Sequence, residues 1–305
     1  MPKKILIDTD IGPDCDDAGA LAIANRLHNE KKIELLGVTH CTSDIGGSYT
    51  VCAINQWFGN SDIPVGQTAE KDFLDSEDCK VYTKPISAEF IRKNGERSFE
   101  EAVSLLRRTL AENTGVTLVF IGPLNNLSAL LISAPDSVSQ LNGRALVEKS
   151  VSQIVVMGGD FSRGSQEAEY NIKCNVAAAQ LAAESCPVPI TYIGFEVGAD
   201  VLTGKSLKTA DEKYPVRTAY ELFLDGPNED GFLLRPSWDL ITVYYAAAGL
   251  ADLWELSEAV TVRFDVDGCV QLSKGGKDRY LIQQAEPSAV AERLEQLMTE
   301  TEDYR

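Results

Sequence analysis

The residues most able to do chemistry in this 305-residue chain stand near its start: Asp8, Asp10, Asp14, Asp16 and Asp17 fall within ten positions. The apolar run Ile5-Leu6-Ile7 before them reads as a β-strand, so the acids gather at a strand's carboxyl end. Carboxylates held a few ångströms apart push one another's pKa upward unless a cation is present. An all-oxygen donor set suits a hard cation such as calcium or magnesium. Asp14 alone reads as a cap for the helix beginning there, whereas the cluster as a whole reads as a metal site. Other oxygen donors stand at later strand ends or helix starts: Asp44, Asn125, the loop from Met157 to Asn171, and Asp239. Taken singly, Asn125 and Asp239 would serve equally well as helix caps.

Convergence requires a scaffold, and the hydrophobic pattern supplies one. Apolar runs at 4–9, 33–39, 63–65, 116–121, 151–157 and 190–193 read as strands. Between them, helical spacing is expected at 14–27, 49–58, 99–113, 126–132 and 176–184, while 67–98 reads as polar and irregular. Strands that are uninterrupted apolar runs, alternating with helices, indicate an α/β fold. A single domain over 1–305 is expected, with an open, mostly parallel, Rossmann-like sheet covered by helices on both faces. Residues 260–264 and 270–272, joined through Asp265-Val266-Asp267-Gly268, predict a small antiparallel extension near the C-terminus. A closing amphipathic helix follows at 286–298, with an acidic tail. In such sheets, ligands bind at the carboxyl ends of the strands, where the acids lie.

Composition narrows the function. Asp plus Glu outnumber Lys plus Arg by 46 to 28, a net charge of −18. That charge repels phosphate backbones and anionic membranes, so neither nucleic acid nor a membrane is an expected partner. No run of 18 apolar residues suggests a membrane span, and the short apolar run after Met1 ends in acid, unlike a secretory signal. A cytoplasmic protein is expected. Seven scattered cysteines without a CxxC pair fit neither a disulfide framework nor a zinc site. Only His28 and His40 are available as imidazoles, and a lone histidine such as His40 is more often structural than pocket-lining.

Several separated segments resemble the inosine-uridine-preferring nucleoside hydrolase family. The strongest is ILIDTDIGPDCDDAGALAI from residue 5, similar to the family's aspartate cluster in a variant with two extra residues. Supporting it in order are LLGVT at 35–39, DIPVG at 62–66, GPLNNLSALL at 122–131, IVVMGGDF at 154–161 and EYNIKCNVAAA at 169–179. The resemblance implies a calcium ion held by the carboxylates of Asp10, Asp17 and Asp239 and by the main-chain carbonyl of Asn125, where the family usually has Thr. It further implies that ribose hydroxyls and a water complete the shell, that this water is the nucleophile, and that Asp10 is the general base. Asp16 would accept from ribose hydroxyls, and Glu169 and Asn171 would hold the far side of the sugar, with the Met157 main chain close by. By the same resemblance the substrate is a small-molecule nucleoside and the assembly a homodimer or homotetramer.

Three departures qualify the carry-over. Trp238 stands where the inosine-uridine type has a His before its last metal-binding Asp; it resembles purine-specific members, in which an indole stacks on the base, though a plain wall residue is the alternative. Asp44 occupies the place of a ribose-contacting Asn, which puts it among the candidate substrate-binding residues. The segment 67–98 lacks the base-contacting His- and Gly-bearing stretch, and 211–236 reads as either a mobile flap or a surface loop. Two other functions compete: a non-catalytic nucleoside or sugar binder that retains the metal cage, and a haloacid-dehalogenase-type phosphatase. The latter also opens with Asp-x-Asp but wants Thr or Val where Gly12 stands.

Overall fold

The structure is a computed structural model that describes residues 2–162 and 165–299; the acidic tail lies outside that range. Among the described residues thirteen strands form in chain order. The first six are β1 (Lys3–Thr9), β2 (Ile33–His40), β3 (Val65–Gln67), β4 (Glu100–Glu101), β5 (Val116–Phe120) and β6 (Val151–Met157). Then come β7 (Ile190–Ile193), β8 (Leu202–Thr203), β9 (Arg235–Pro236), β10 (Trp254–Leu256), β11 (Val260–Phe264), β12 (Val270–Lys274) and β13 (Arg279–Gln283). Nine of them build one sheet in the order β10-β13-β7-β6-β5-β1-β2-β3-β4. All its pairings are parallel except β10 with β13. The β11–β12 hairpin is antiparallel, as expected from its sequence, and β8 pairs with β9 in a second small ladder.

Side chains that alternate along a strand point to opposite faces, and here both faces are apolar. Ile5, Ile7, Val119, Ile121, Val155 and Met157 enter one core cluster. Their neighbours Leu6, Leu118, Phe120, Ile154 and Val156 enter the other. Among the described residues twelve α-helices surround the sheet. They are α1 (Asp16–Asn29), α2 (Ile45–Trp57), α3 (Thr83–Asn94), α4 (Ala102–Glu112), α5 (Asn125–Ile132) and α6 (Gly143–Ser150), then α7 (Tyr170–Cys174), α8 (Val176–Ser185), α9 (Phe195–Gly198), α10 (Pro215–Phe223), α11 (Trp238–Ala248) and α12 (Pro287–Met298). Among the described residues no helix is long and apolar enough to cross a membrane.

Several elements depart from the sequence reading. The segment expected to be irregular contains α3, which buries Thr83, Ile86, Ser87 and Phe90 at helical spacing. The third strand starts at Val65 rather than residue 63; Pro64 has no N–H for the ladder and uses its carbonyl to accept from Val38 N at 2.9 Å. The helix expected from 99 starts at Ala102, because Glu100 and Glu101 pair with β3 and the Glu101 carboxylate caps Val103 N and Ser104 N at 3.0 and 2.7 Å. β13, not foreseen, inserts between β7 and β10. Residues 211–236 are not simply a loop, for they contain α10, whose Val216, Ala219 and Tyr220 are buried.

Candidate active site

The carboxyl ends of β1, β2, β5 and β6 open onto one side of the sheet, and the acids meet there. Asp10 follows β1, Asp16 and Asp17 form the first turn of α1, and Asp239 lies in the first turn of α11. These four line a cavity of about 300 Å³, within the range of small-molecule sites. Met157, Glu169, Asn171 and Trp238 line it as well. Residues 163–164 of the loop between Met157 and Asn171 lie outside the described range.

The carboxylates of Asp16, Asp17 and Asp239 each offer an oxygen within 4.8 Å of the others. All three, together with Asp10, are buried. Burial first, and mutual repulsion second, hold the carboxyls of Asp10 and Asp17 and of Asp16 and Asp239 well above the usual carboxylate range. Among the described residues none of the four forms an ion pair with a basic side chain. Neutral donors fix their orientation: Asp16 Oδ2 accepts from Asp239 N at 3.0 Å. Asp17 accepts from the Thr9 hydroxyl, and that hydroxyl's oxygen accepts from Ile11 N at 3.1 Å. Gly122 leaves the room this requires, since a Cβ there would lie 2.8 Å from Asp10 Oδ1.

Asn125 is the first residue of α5; its amide donates to Cys41 O at 2.9 Å, and its buried Oδ1 has no hydrogen-bond partner. Behind it, Asp8 accepts from Thr39 Oγ1 at 2.5 Å and Asn126 Nδ2 at 2.7 Å, and burial raises its pKa to about 7. Asn126 also reaches His40 O at 3.3 Å, so this polar layer ties β1, β2 and α5 together. Buried carboxylates with raised pKa values that make no ion pair among the described residues, with Arg235 close enough to Asp16 to offset only part of its rise, and an orphaned amide oxygen on Asn125 fit a hard divalent cation.

Glu169 caps α7, accepting from Asn171 N at 2.9 Å, Gly159 N at 3.2 Å and Ile172 N at 3.3 Å. Burial raises its pKa to about 7 despite those bonds. Asn171 Nδ2 donates to Met157 O at 3.3 Å, which holds the end of β6 against α7. Trp238 lies between two neighbours: its ring stacks on Phe195 at 5.4 Å between centroids, and the Arg235 guanidinium sits 5.4 Å from its centroid. Its N–H donates to Phe195 O at 2.7 Å.

Two expectations change. Asp14 does not cap α1, whose N-cap is Cys15 without a side-chain bond; it forms an ion pair with Arg235, Nε lying 2.9 Å from Oδ1. Asp44 is not among the residues lining the cavity. Its carboxylate caps α2 through Gly46 N at 2.9 Å and accepts from Thr83 Oγ1 at 2.6 Å. His40 is fully buried, its ring nitrogens 3.2 Å from Gln67 Oε1 and 3.1 Å from Thr42 Oγ1, a structural histidine. The cavity also exposes Phe195, Tyr170 and Arg235, which the sequence reading did not select. Phe195 stands two residues beyond Ile193, the last residue of β7, a strand-end position of the kind that marked the acids.

The profile of the inosine-uridine preferring nucleoside hydrolase family matches residues 5–294. The chain belongs to this family, whose members hydrolyse N-glycosyl bonds. A non-specific ribonucleoside hydrolase of Shigella flexneri is 26% identical over 294 residues, covering 88% of this chain and 90% of the relative. An uncharacterized protein of Schizosaccharomyces pombe is 30% identical over 236 residues, 70% of this chain and 68% of the relative. In three dimensions, a plant nucleoside hydrolase superposes with a TM-score of 0.73 at 21% identity, covering 98% of this chain and 99% of the other. The fold is thus that of the nucleoside hydrolases, and the phosphatase alternative falls.

Proposed function

We propose that this chain hydrolyses the N-glycosidic bond of ribonucleosides in a calcium-dependent reaction, releasing ribose and free base, with a preference for purines. The observation that carries this reading is the group of buried carboxylates, Asp10, Asp16, Asp17 and Asp239, facing one cavity without a basic partner. Asp10, Asp17, Asp239 and the Asn125 carbonyl are the metal ligands in this reading. Calcium held there supplies charge neutralisation and Lewis acidity toward water and the ribose hydroxyls. Asp16, close to both Asp17 and Asp239, accepts from a ribose hydroxyl and adds to the charge of the cage.

Asp10 takes a proton from the attacking water as its oxygen bonds to C1′. The C1′–N electron pair leaves with the base, which gains a proton. Positive charge grows on the ribose meanwhile, and the surrounding carboxylates favour it. Glu169 and Asn171, fixed by α7, hold the far side of the sugar near the Met157 main chain. Asp44, turned toward Gly46 and Thr83, acts on the sugar through the shape of the β2–α2 turn. The Phe195–Trp238 wall supports a purine preference by offering aromatic surface to the larger base. The same reading takes the protein as a cytoplasmic homodimer or homotetramer, a state that sedimentation would measure.

The test is base release from inosine, guanosine, adenosine, uridine, cytidine and a deoxynucleoside, with calcium and then with EDTA. Release from purine ribosides, abolished by EDTA and restored by calcium, is the expected result. Release mainly from uridine would remove the purine preference, and release indifferent to EDTA would remove the metal.

A further inference from the structure

The cavity wall beside Asp14 contains a positive charge that the mechanism above leaves unused. The Arg235 guanidinium lies 5.2 Å from the Phe223 ring centroid and 5.4 Å from that of Trp238. One edge is taken by Asp14: Nε lies 2.9 and 3.1 Å from the two carboxylate oxygens, and Nη2 also donates to Oδ2. Two neighbouring rings and one carboxylate therefore restrain the guanidinium, and Asp14 occupies one edge of it. Nη1 is the nitrogen left over, making no hydrogen bond among the described residues, on a side chain that lines the cavity and is 29% exposed. Trp238 cannot fill the same role, because its N–H is committed to Phe195 O and its ring is flanked by Phe195 and Arg235.

We propose that Arg235 is the base-reading residue of this site, donating from its free edge to the acceptor edge of a 6-oxopurine as that base departs. The proposal rests on the nucleoside-hydrolysis reading and names a substrate class within it. A guanidinium donates hydrogen bonds and accepts none, and it keeps its proton at any working pH. It therefore does not protonate the base. When the C1′–N pair moves onto the base, negative charge spreads to N7 and O6, and a charge-assisted hydrogen bond from Arg235 offsets it. The proton the base finally acquires comes from solvent. Hypoxanthine and guanine present N7 and O6 as adjacent acceptors, whereas adenine replaces O6 with an amino donor. Inosine and guanosine are thus the matched substrates, with adenosine matched in part. The Asp14 ion pair has a second consequence: it links the base wall to the metal loop, so Arg235 is held in place before substrate arrives.

The test compares kcat/KM of the wild-type holoenzyme with Arg235→Lys and Arg235→Met on inosine, adenosine and 4-nitrophenyl β-ribofuranoside. The last has a leaving group that needs no help from a donor. For Arg235→Met we expect a loss of about 10- to 100-fold on inosine, the range of one hydrogen bond to a charged group. The loss on adenosine should be smaller and that on the nitrophenyl riboside smaller still, since losing the Asp14 pair acts on all three substrates alike, whereas the hydrogen bond to the base is lost only where the leaving group accepts it. Arg235→Lys, which keeps the charge but loses the planar fork, should fall between. Equal losses on all three substrates would overturn the proposal and reduce Arg235 to a prop for Asp14. If the wild-type protein cleaves none of the three with calcium bound, the nucleoside-hydrolysis reading fails and the proposal fails with it. Folded variants are verified by circular dichroism, and the ordering of the losses across the three substrates, which a collapsed site would not produce, separates the base contact from the Asp14 pair.

Discussion

Glu169 is at once the cap of α7 and a wall of the cavity, and the two roles pull its protonation in opposite directions. Three main-chain N–H groups favour the carboxylate, yet burial outweighs them and lifts the pKa from 4.5 to about 7. The folded chain thus holds a proton that the unfolded chain releases above pH 4.5. This contribution to stability is complete below pH 4.5 and is lost as pH rises through 7. In EDTA, the urea stability of the wild type relative to Glu169→Gln should therefore fall between pH 4.5 and 7, by a total on the order of 3 kcal/mol. A difference that stays flat across that window would mean the carboxyl titrates normally. Asp16 makes a sharper case, since its carboxylate is buried and its charge is repelled by Asp14 and repels that of Asp239. Asp16→Asn should raise the stability of the EDTA-treated protein by about 1 kcal/mol while lowering kcat/KM by at least about 100-fold, the exchange expected where function needs crowded like charges.

Helix α9 is a single turn, yet it sets the position of the base wall. Gly198 allows this, because a Cβ there would overlap the Trp238 ring. Gly198→Ala should cut purine-riboside kcat/KM by about tenfold or more, with only a few degrees lost in the melting temperature, because the displaced ring lies at the cavity rim. At the other edge of the fold, Arg107 on α4 is 3% exposed, 2.6 Å from Asp136 and 2.8 Å from Ser133 Oγ. Arg107→Ala should lower stability in a urea titration, since it removes the buried guanidinium that ties Ser133, Ser139, Leu141 and the exposed Asp136 of the 133–141 turn together, and leave KM unchanged. These contacts also mark the limit of what the sequence made legible. Strands β1, β5 and β6 were readable because burial on both faces makes them continuous apolar runs, and the acids after β1 inherited their place from that. Helix α3 was hidden because four buried positions among Lys, Glu and Arg leave a weak period, with Pro85 in its first turn. The Asp14–Arg235 pair joins residues 221 apart, and only the folded chain brings them together; Asp14 therefore read as a local cap.

Across the whole molecule, a net charge of −18 raises the question of which acids a cation would stabilise. Surface carboxylates respond to ionic strength of any kind, and beyond about 8–10 Å their repulsion is screened by ordinary salt. Asp10, Asp16, Asp17 and Asp239 differ because they are buried, mutually repelled and in no ion pair among the described residues. Screening by diffuse ions reaches them poorly, whereas a ligated cation acts on them directly. The two contributions separate in a melting experiment on EDTA-treated protein. Sodium chloride should raise the melting temperature slightly and smoothly. Calcium at matched ionic strength should add a saturable rise, worth about 2.7 kcal/mol once its free concentration reaches a hundred times its dissociation constant. Asp239→Asn should remove the saturable part and leave the sodium response intact, since Asp239 belongs to the buried triad and not to the surface. If calcium and sodium act alike at equal ionic strength, the buried acids hold no cation, and the cage must be stabilised by the protons that their raised pKa values retain.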